Sequence, residues 1–245
     1  MRIKEGIYSF KLSSKAIGQE SIINPTVIYD NDELILVDAG LPHQFHQIRE
    51  AIEEEGLEFY KLRKIIFTHQ DIDHIGSASE ILKERDNNIK MISFQEEKPY
   101  IEGTKKPVKL SMLEQSLDYL PEKMNMFYDK LKICFEKFKV NINETLSDGQ
   151  VLPYCGGITV IHTPGHTPGH ISLYVNKFKL LIAGDILVVN EGTLCPCDKS
   201  LNYDDALNYQ SIKKLTNYDI KKVVCYHGGI YEDNVNSCIR ELAGR

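Results

Sequence analysis

Thr68-His69-Gln70-Asp71-Ile72-Asp73-His74 places two imidazoles and two carboxylates within six residues. All four side chains are able to hold a divalent cation, so metal binding is the chemistry this turn predicts. The stretch follows Lys64-Ile65-Ile66-Phe67, an apolar run that reads as a buried strand. It precedes Ile75 to Leu82, which reads as a helix. Strand, ligand-rich turn and helix in succession is how a mixed α/β chain sets chemistry at the carboxyl end of a sheet.

A second concentration is His162-Thr163-Pro164-Gly165-His166-Thr167-Pro168-Gly169-His170, after a predicted strand over Ile158 to Ile161. Its prolines forbid a helix, so the three histidines are held in fixed, different directions. One is expected as a metal ligand; the others either support ligands or bond to backbone. Three more polar residues close predicted apolar strands. Asp38 follows Leu34 to Val37 and precedes Ala39-Gly40; it either orients ligands from behind or caps the next helix. Asp185 follows Leu180 to Ala183, the second arm of a hairpin with Ile171 to Val175. His227 follows Val223 to Tyr226, the expected last strand. If these strand ends converge, they make one site. His43 and His46, beside a helix expected over Phe45 to Glu55, read as surface residues.

The elements that position these groups alternate regularly except from about Gln95 to Asn143. There, a lysine- and proline-containing stretch leads into an amphipathic run over Glu122 to Phe138 with Met124, Phe127, Leu131, Cys134, Phe135 and Phe138 at helical spacing. This insert reads either as a helix packed on the domain or as a lid whose apolar side chains wall a pocket. The 245 residues suit one large domain or two small ones, and no interdomain linker stands out. The expected organisation is one domain over 1–245 with a helical insert at about 95–143. Net charge is −6 and no basic block is visible, which argues against a nucleic-acid partner. No signal region follows Met1, and no run approaches the ~20 apolar residues of a membrane span. The expectation is therefore a cytoplasmic protein with no membrane partner, acting on a small molecule and possible as a homodimer. The six cysteines form no C-x-x-C pair, and Cys195-Pro196-Cys197 is too tight for the usual zinc knuckle, so free thiols are expected.

In combination, Val37-Asp38-Ala39-Gly40, Thr68 to His74, Thr163 to His170, Ala183-Gly184-Asp185 and His227-Gly228-Gly229 resemble the metallo-β-lactamase superfamily of dinuclear metallohydrolases. The resemblance covers the chain apart from the insert. It implies an α/β (α+β) fold, a four-layer αββα sandwich with the metals at one edge between the sheets. It implies that His69, Asp71 and His166 hold one divalent ion, that Asp73, His74 and His227 hold a second, and that Asp185 bridges them. His162 and His170 have no ligand role in that pattern. The family's turn is His-x-His-x-Asp-His, so Asp71 stands where a histidine is expected. A carboxylate there lowers the charge of the site by one. Zinc is the expected metal, with iron or manganese better tolerated because of Asp71.

The implied function is hydrolysis of a small ester, thioester, lactone or phosphoester by a metal-bridging hydroxide, with Asp73 as the proton acceptor. A tyrosine of the insert, or Tyr231, is a candidate for stabilising the oxyanion. An iron-dependent oxidoreductase is the alternative that Asp71 supports, and a non-catalytic metal-binding protein is the second alternative.

Overall fold

Leu34-Ile35-Leu36-Val37 shows how the layers arise. Leu34 and Leu36 join one buried cluster, while Ile35 and Val37 join another on the opposite face of the same strand. That is the period-two alternation of a strand covered on both sides. The computed structural model describes residues 1–16, 19–119 and 121–244.

In chain order, the first half runs β1 (Arg2–Lys4), β2 (Ile7–Ser9), β3 (Leu12–Ala16), β4 (Gln19–Ile23), β5 (Thr26–Asp30), β6 (Glu33–Val37), α1 (Phe45–Glu54), β7 (Leu62–Phe67), α2 (Ile72–Ile75), α3 (Ala78–Glu84) and β8 (Lys90–Phe94). The insert supplies α4 (Lys98–Ile101), α5 (Val108–Ser116) and α6 (Lys123–Phe138). The second half runs β9 (Glu144–Leu146), β10 (Val151–Leu152), β11 (Ile158–His162), β12 (Ile171–Val175), β13 (Leu180–Gly184), β14 (Leu187–Asn190), β15 (Thr193–Pro196), α7 (Asp205–Leu215), β16 (Lys222–Cys225), β17 (Gly229–Tyr231) and α8 (Val235–Ala243).

Among the described residues, one sheet has the order β1-β2-β5-β6-β7-β8-β9 and the other β10-β11-β12-β13-β16-β17, while β3-β4 and β14-β15 are separate hairpins. Ile28, Ile35, Val37 and Ile66 of the first sheet pack against Val160, Leu173, Ile182 and Val224 of the second. The outer face of the first sheet is covered by Phe45, Ile48 and Ile52 of α1, Ala78 and Ile81 of α3, and Phe135 of α6. The outer face of the second is covered by Ile212 and Leu215 of α7 and by Val235, Ile239 and Leu242 of α8. Helices, sheet, sheet, helices is the four-layer αββα sandwich.

Several expected boundaries move. Phe10 and Lys11 part β2 from β3, and β3 pairs with β4 in a hairpin. The helix expected from Ile75 is two short helices parted at Gly76-Ser77. The strand before His227 is not the last; β17 pairs back onto it antiparallel. In the insert, Leu120 lies outside the described residues. The stripe packs on the domain through Phe135 and Phe138, which are buried, while Met124, Phe127 and Leu131 are only half-buried. All six cysteines are free, with Cys197 and Cys225 buried.

Candidate metal centre

Strand ends bring the predicted residues together. Asp38 directly follows β6; it is 1% exposed and adopts φ 63°. Its Oδ1 accepts from the Thr68 backbone N–H at 2.8 Å and its Oδ2 from the Thr68 hydroxyl at 2.8 Å. The same Oδ2 faces His74 Nδ1 at 2.9 Å. Of the two roles open for Asp38, the structure takes the first: it holds the ligand-rich turn and caps no helix.

Because the Thr68 hydroxyl hydrogen is spent on Asp38, its oxygen accepts from His69 Nδ1 at 3.0 Å. Both histidines of the turn therefore carry their proton on Nδ1 and turn Nε2 toward the cluster, an assignment made from the hydrogen-bond network. Asp71 sits at the N-cap of α2, yet its carboxylate makes no capping bond. Its Oδ2 lies 3.0 Å from His166 Nε2 and 3.4 Å from His69 Nε2. Tyr226 donates from its hydroxyl to the Asp73 carbonyl at 2.5 Å, and its ring lies 3.9 Å from that of His74.

The proline-rich loop closes with the Thr163 N–H donating to the His170 carbonyl at 2.9 Å. It separates the three histidines as expected. His166 enters the cluster, with Nδ1 3.3 Å from Asn202 Oδ1. His162 stacks on Phe94 at 4.3 Å between ring centroids and donates to the Pro168 carbonyl. His170 is fully buried, and its Nε2 accepts from the Asp185 backbone N–H at 2.9 Å. Burial first, then the neighbouring His69 and His166, hold His170 well below the usual imidazole range, so it stays neutral. Gly184 before Asp185 has φ 60°, and a Cβ there would strike the His170 ring. At the far edge, a Cβ on Gly228 would strike the Val189 carbonyl, so only glycine lets β14 approach the end of β16 beside His227.

Asp185 faces both sides of the cluster: Oδ1 is 3.4 Å from His74 Nε2, and Oδ2 is 3.7 Å from His166 Nε2 and 3.3 Å from His227 Nε2. Asp73 Oδ2 is 3.2 Å from His227 Nε2 and 3.8 Å from His74 Nε2. Three overlapping groups result: His69, Asp71 and His166; His69, His74 and Asp185; Asp73, His74 and His227. Within each, one ligand atom per residue lies within 4.8 Å of the others. All seven predicted ligands are thus brought together, while the exposed His43 and His46 lie outside these groups.

Electrostatics follows from burying this many ionisable groups. Desolvation opposes charge on every one of them, yet the carboxylates outweigh it at three imidazoles. His166 is pushed up to about 9, chiefly by Asp71. His227 is pushed up to about 11 by Asp185 and Asp73. His74 is raised well above its ordinary value by Asp38, Asp185 and Asp73. Conversely, Asp71 is held well below the carboxylate range by Lys109, His69 and His166. The carboxylates thus draw protons onto three imidazoles, which a bound cation would have to displace.

Beside it lies a cavity of about 550 Å³. Asp71, Asp73, His166, Asp185 and His227 form its polar end, and Met112, Leu113, Met124, Phe127, Leu131 and Phe135 of the insert line it. The insert does wall a pocket. Tyr231 does not line it; its side chain packs against the core cluster under α7 and α8, so the proposed oxyanion role has no support.

Two groups of the insert escaped sequence reading. Lys109, with a side chain 17% exposed, places Nζ 3.5 Å from Asp71 Oδ2. Glu97 is fully buried: Oε1 accepts from the Thr167 hydroxyl and the Gly169 N–H, and Oε2 from Gln70 Nε2. Gln70 Oε1 in turn accepts from the Val108 N–H at 2.8 Å. One carboxylate thus ties both histidine loops to the insert. In sequence it stands among Gln95, Glu96 and Lys98, where nothing distinguishes it from a solvated charge.

A sandwich of this topology with a histidine and aspartate cluster at one end of its sheets is the architecture of a metallo-beta-lactamase fold. The chain belongs to the metallo-beta-lactamase superfamily, whose family model matches residues 18–227. A probable metallo-hydrolase of Bacillus subtilis strain 168, YflN, is 31% identical over 160 residues, which is 64% of this chain and 56% of that protein. The match therefore spans little more than half of that relative's length. A metallo-beta-lactamase family protein from Thermus thermophilus is similar in structure, with TM-score 0.78 and 20% identity over 99% of this chain and 80% of that one. An archaeal superfamily protein from Sulfolobus tokodaii matches with TM-score 0.63 and 21% identity over 98% of this chain and 85% of its own. Among the described residues, no helix is long and apolar enough to cross a membrane.

Proposed function

We propose that the chain is a hydrolase of a small ester, thioester, lactone or phosphoester, working with two divalent ions, zinc foremost. One observation carries this reading. His69 Nε2, Asp71 Oδ1, His74 Nε2 and Asp185 Oδ1 are buried without a hydrogen-bond partner, and all four belong to the cluster. An unpaired buried polar atom costs about 1–3 kcal/mol, and a cation among them removes that cost. His69, Asp71 and His166 would hold one ion, Asp73, His74 and His227 the other, and Asp185 would face both.

Ions so held supply a Lewis acid and a water acidic enough to ionise near neutral pH. The protein's own contribution is geometric. The Asp73 side chain is a quarter exposed and lines the cavity. It accepts a proton from the attacking water and passes it to the leaving group. Asp38 and Thr68 hold a proton on Nδ1 of His74 and His69, so that the neutral, ligating form of each ring offers Nε2 to the ion. The apolar wall of the insert receives the non-reacting part of the substrate.

Metal content of protein purified without added metal or chelator, followed by a screen of lactones, thioesters, esters and phosphoesters, tests this. About two zinc ions per chain and turnover of one class are expected. Asp73→Asn should lower turnover at least about a hundredfold with the circular dichroism spectrum retained. A chain that binds no divalent metal sinks the reading; full activity in Asp73→Asn removes that residue from it.

A further inference from the structure

We infer that Lys109 is the counter-charge of Asp71, so that the insert helix sets how strongly the first cluster binds a cation. This rests on the metal-centre reading above. A histidine at position 71 would leave His69, His166 and itself neutral, whereas Asp71 makes the group anionic by one. Lys109 returns that charge. Its Nζ is 3.5 Å from Asp71 Oδ2 and its side chain is 17% exposed. A hydrogen bond from Nζ to the Leu201 carbonyl anchors it. Asp71, Lys109 and Leu201 all line the cavity.

The two oxygens of Asp71 are already divided. Oδ2 faces Lys109, His166 and His69, while Oδ1 is buried with no hydrogen-bond partner. Lys109 therefore stands beside the same Asp71 oxygen that faces the two imidazoles, near enough to offset its charge without a hydrogen bond to it. The consequence is electrostatic: a fixed unit charge a few ångströms from a divalent ion in a partly buried site weakens its binding, and removing it strengthens binding. Asp71 and Lys109 thus act as a pair, equivalent in charge to the histidine of the common motif.

The test is zinc titration of the full chain, stripped of metal, by competition with a chromophoric chelator. Wild type, Lys109→Met, Lys109→Arg, Asp71→His and the double variant Asp71→His/Lys109→Met are compared. In Lys109→Met the weaker of two zinc equivalents should tighten at least about tenfold, with the stronger changed less than about threefold. Lys109→Arg, which keeps the charge, should match wild type. Asp71→His alone, with Lys109 uncompensated, should weaken the same equivalent at least about tenfold, and the double variant should recover it. Unchanged zinc constants in Lys109→Met, or a double variant no better than Asp71→His, overturn the inference while leaving the metal centre standing. A wild type that takes up no zinc overturns both.

Discussion

Replacing Asp38 by Asn isolates what the carboxylate behind the cluster does. Position 38 has φ 63°, a left-handed conformation that Asn tolerates and Ala does not, so Asn adds little backbone strain. Asn keeps an oxygen for the Thr68 N–H, which now lies 2.8 Å from Oδ1. Its NH₂ then takes the place of Oδ2, facing the Thr68 hydroxyl at 2.8 Å and His74 Nδ1 at 2.9 Å. His74 can no longer donate from Nδ1, so its proton moves to Nε2, the atom aimed at Asp185. Loss of the charge-assisted bond costs about 1.5–3 kcal/mol of stability in the metal-free chain. A protonated Nε2 binds no metal, and losing such a supporting partner weakens metal affinity roughly 10–100-fold, or about 1.4–2.7 kcal/mol. Chelator competition gives the affinity, thermal unfolding with and without zinc gives the stability, and ¹⁵N shifts of His74 report the tautomer. Zinc affinity within about twofold of wild type, in a variant that still folds, would refute the argument that Asp38 sets the tautomer.

Zinc uptake at neutral pH should release protons. His166 at about 9, His227 at about 11 and the strongly raised His74 are charged in the metal-free chain and must be neutral as ligands. Affinity should therefore fall as pH drops, and calorimetric enthalpies should differ between buffers of different ionisation enthalpy; identical enthalpies would exclude proton release. Glu97 gives a separate pH signature. Burial pushes its carboxyl from 4.5 up to about 7 against the pull of Thr167, Gln70 and Gly169. Folding thus favours its protonated form, so this contribution is complete below about pH 4.5 and lost as pH rises through about 7, a span of roughly 3 kcal/mol. Relative to Glu97→Gln, wild type should lose stability between pH 4.5 and 7 in denaturant titrations, and a constant difference between the two would dismiss the assignment.

The ends of the strands were legible because they are written locally. An apolar run, then Asp38, His69, Asp185 or His227, then a glycine or turn, needs only neighbours in sequence to be recognised. The unbroken apolar run of Leu34 to Val37 likewise marked a strand covered on both faces, as the two clusters on either side of it are. What stayed hidden joins residues far apart. Lys109 is one of several lysines on the insert, and only packing of α5 beside the cluster selects it. Glu97 reads as a surface charge until Gln70, Thr167 and Gly169 are seen closing around it. That His170 bonds to backbone was one of its two expected roles, but which backbone stays open until its Nε2 is found accepting from the Asp185 N–H.

The hidden contact changes the argument about metal choice. Counted along the chain, Asp71 makes the site one charge more negative than a histidine at that position would, which favours harder ions and gives the iron-dependent reading its support. Counted in space, Lys109 cancels that charge at 3.5 Å. What remains of the Asp71 effect is the change of donor from nitrogen to oxygen. A change of donor atom without a change of net charge shifts preference among metals less than both together, and it leaves the Lewis acidity needed for hydrolysis closer to that of a histidine site. The redox reading thereby loses half of its basis, and the lysine on the insert becomes the residue on which the choice between the two readings turns.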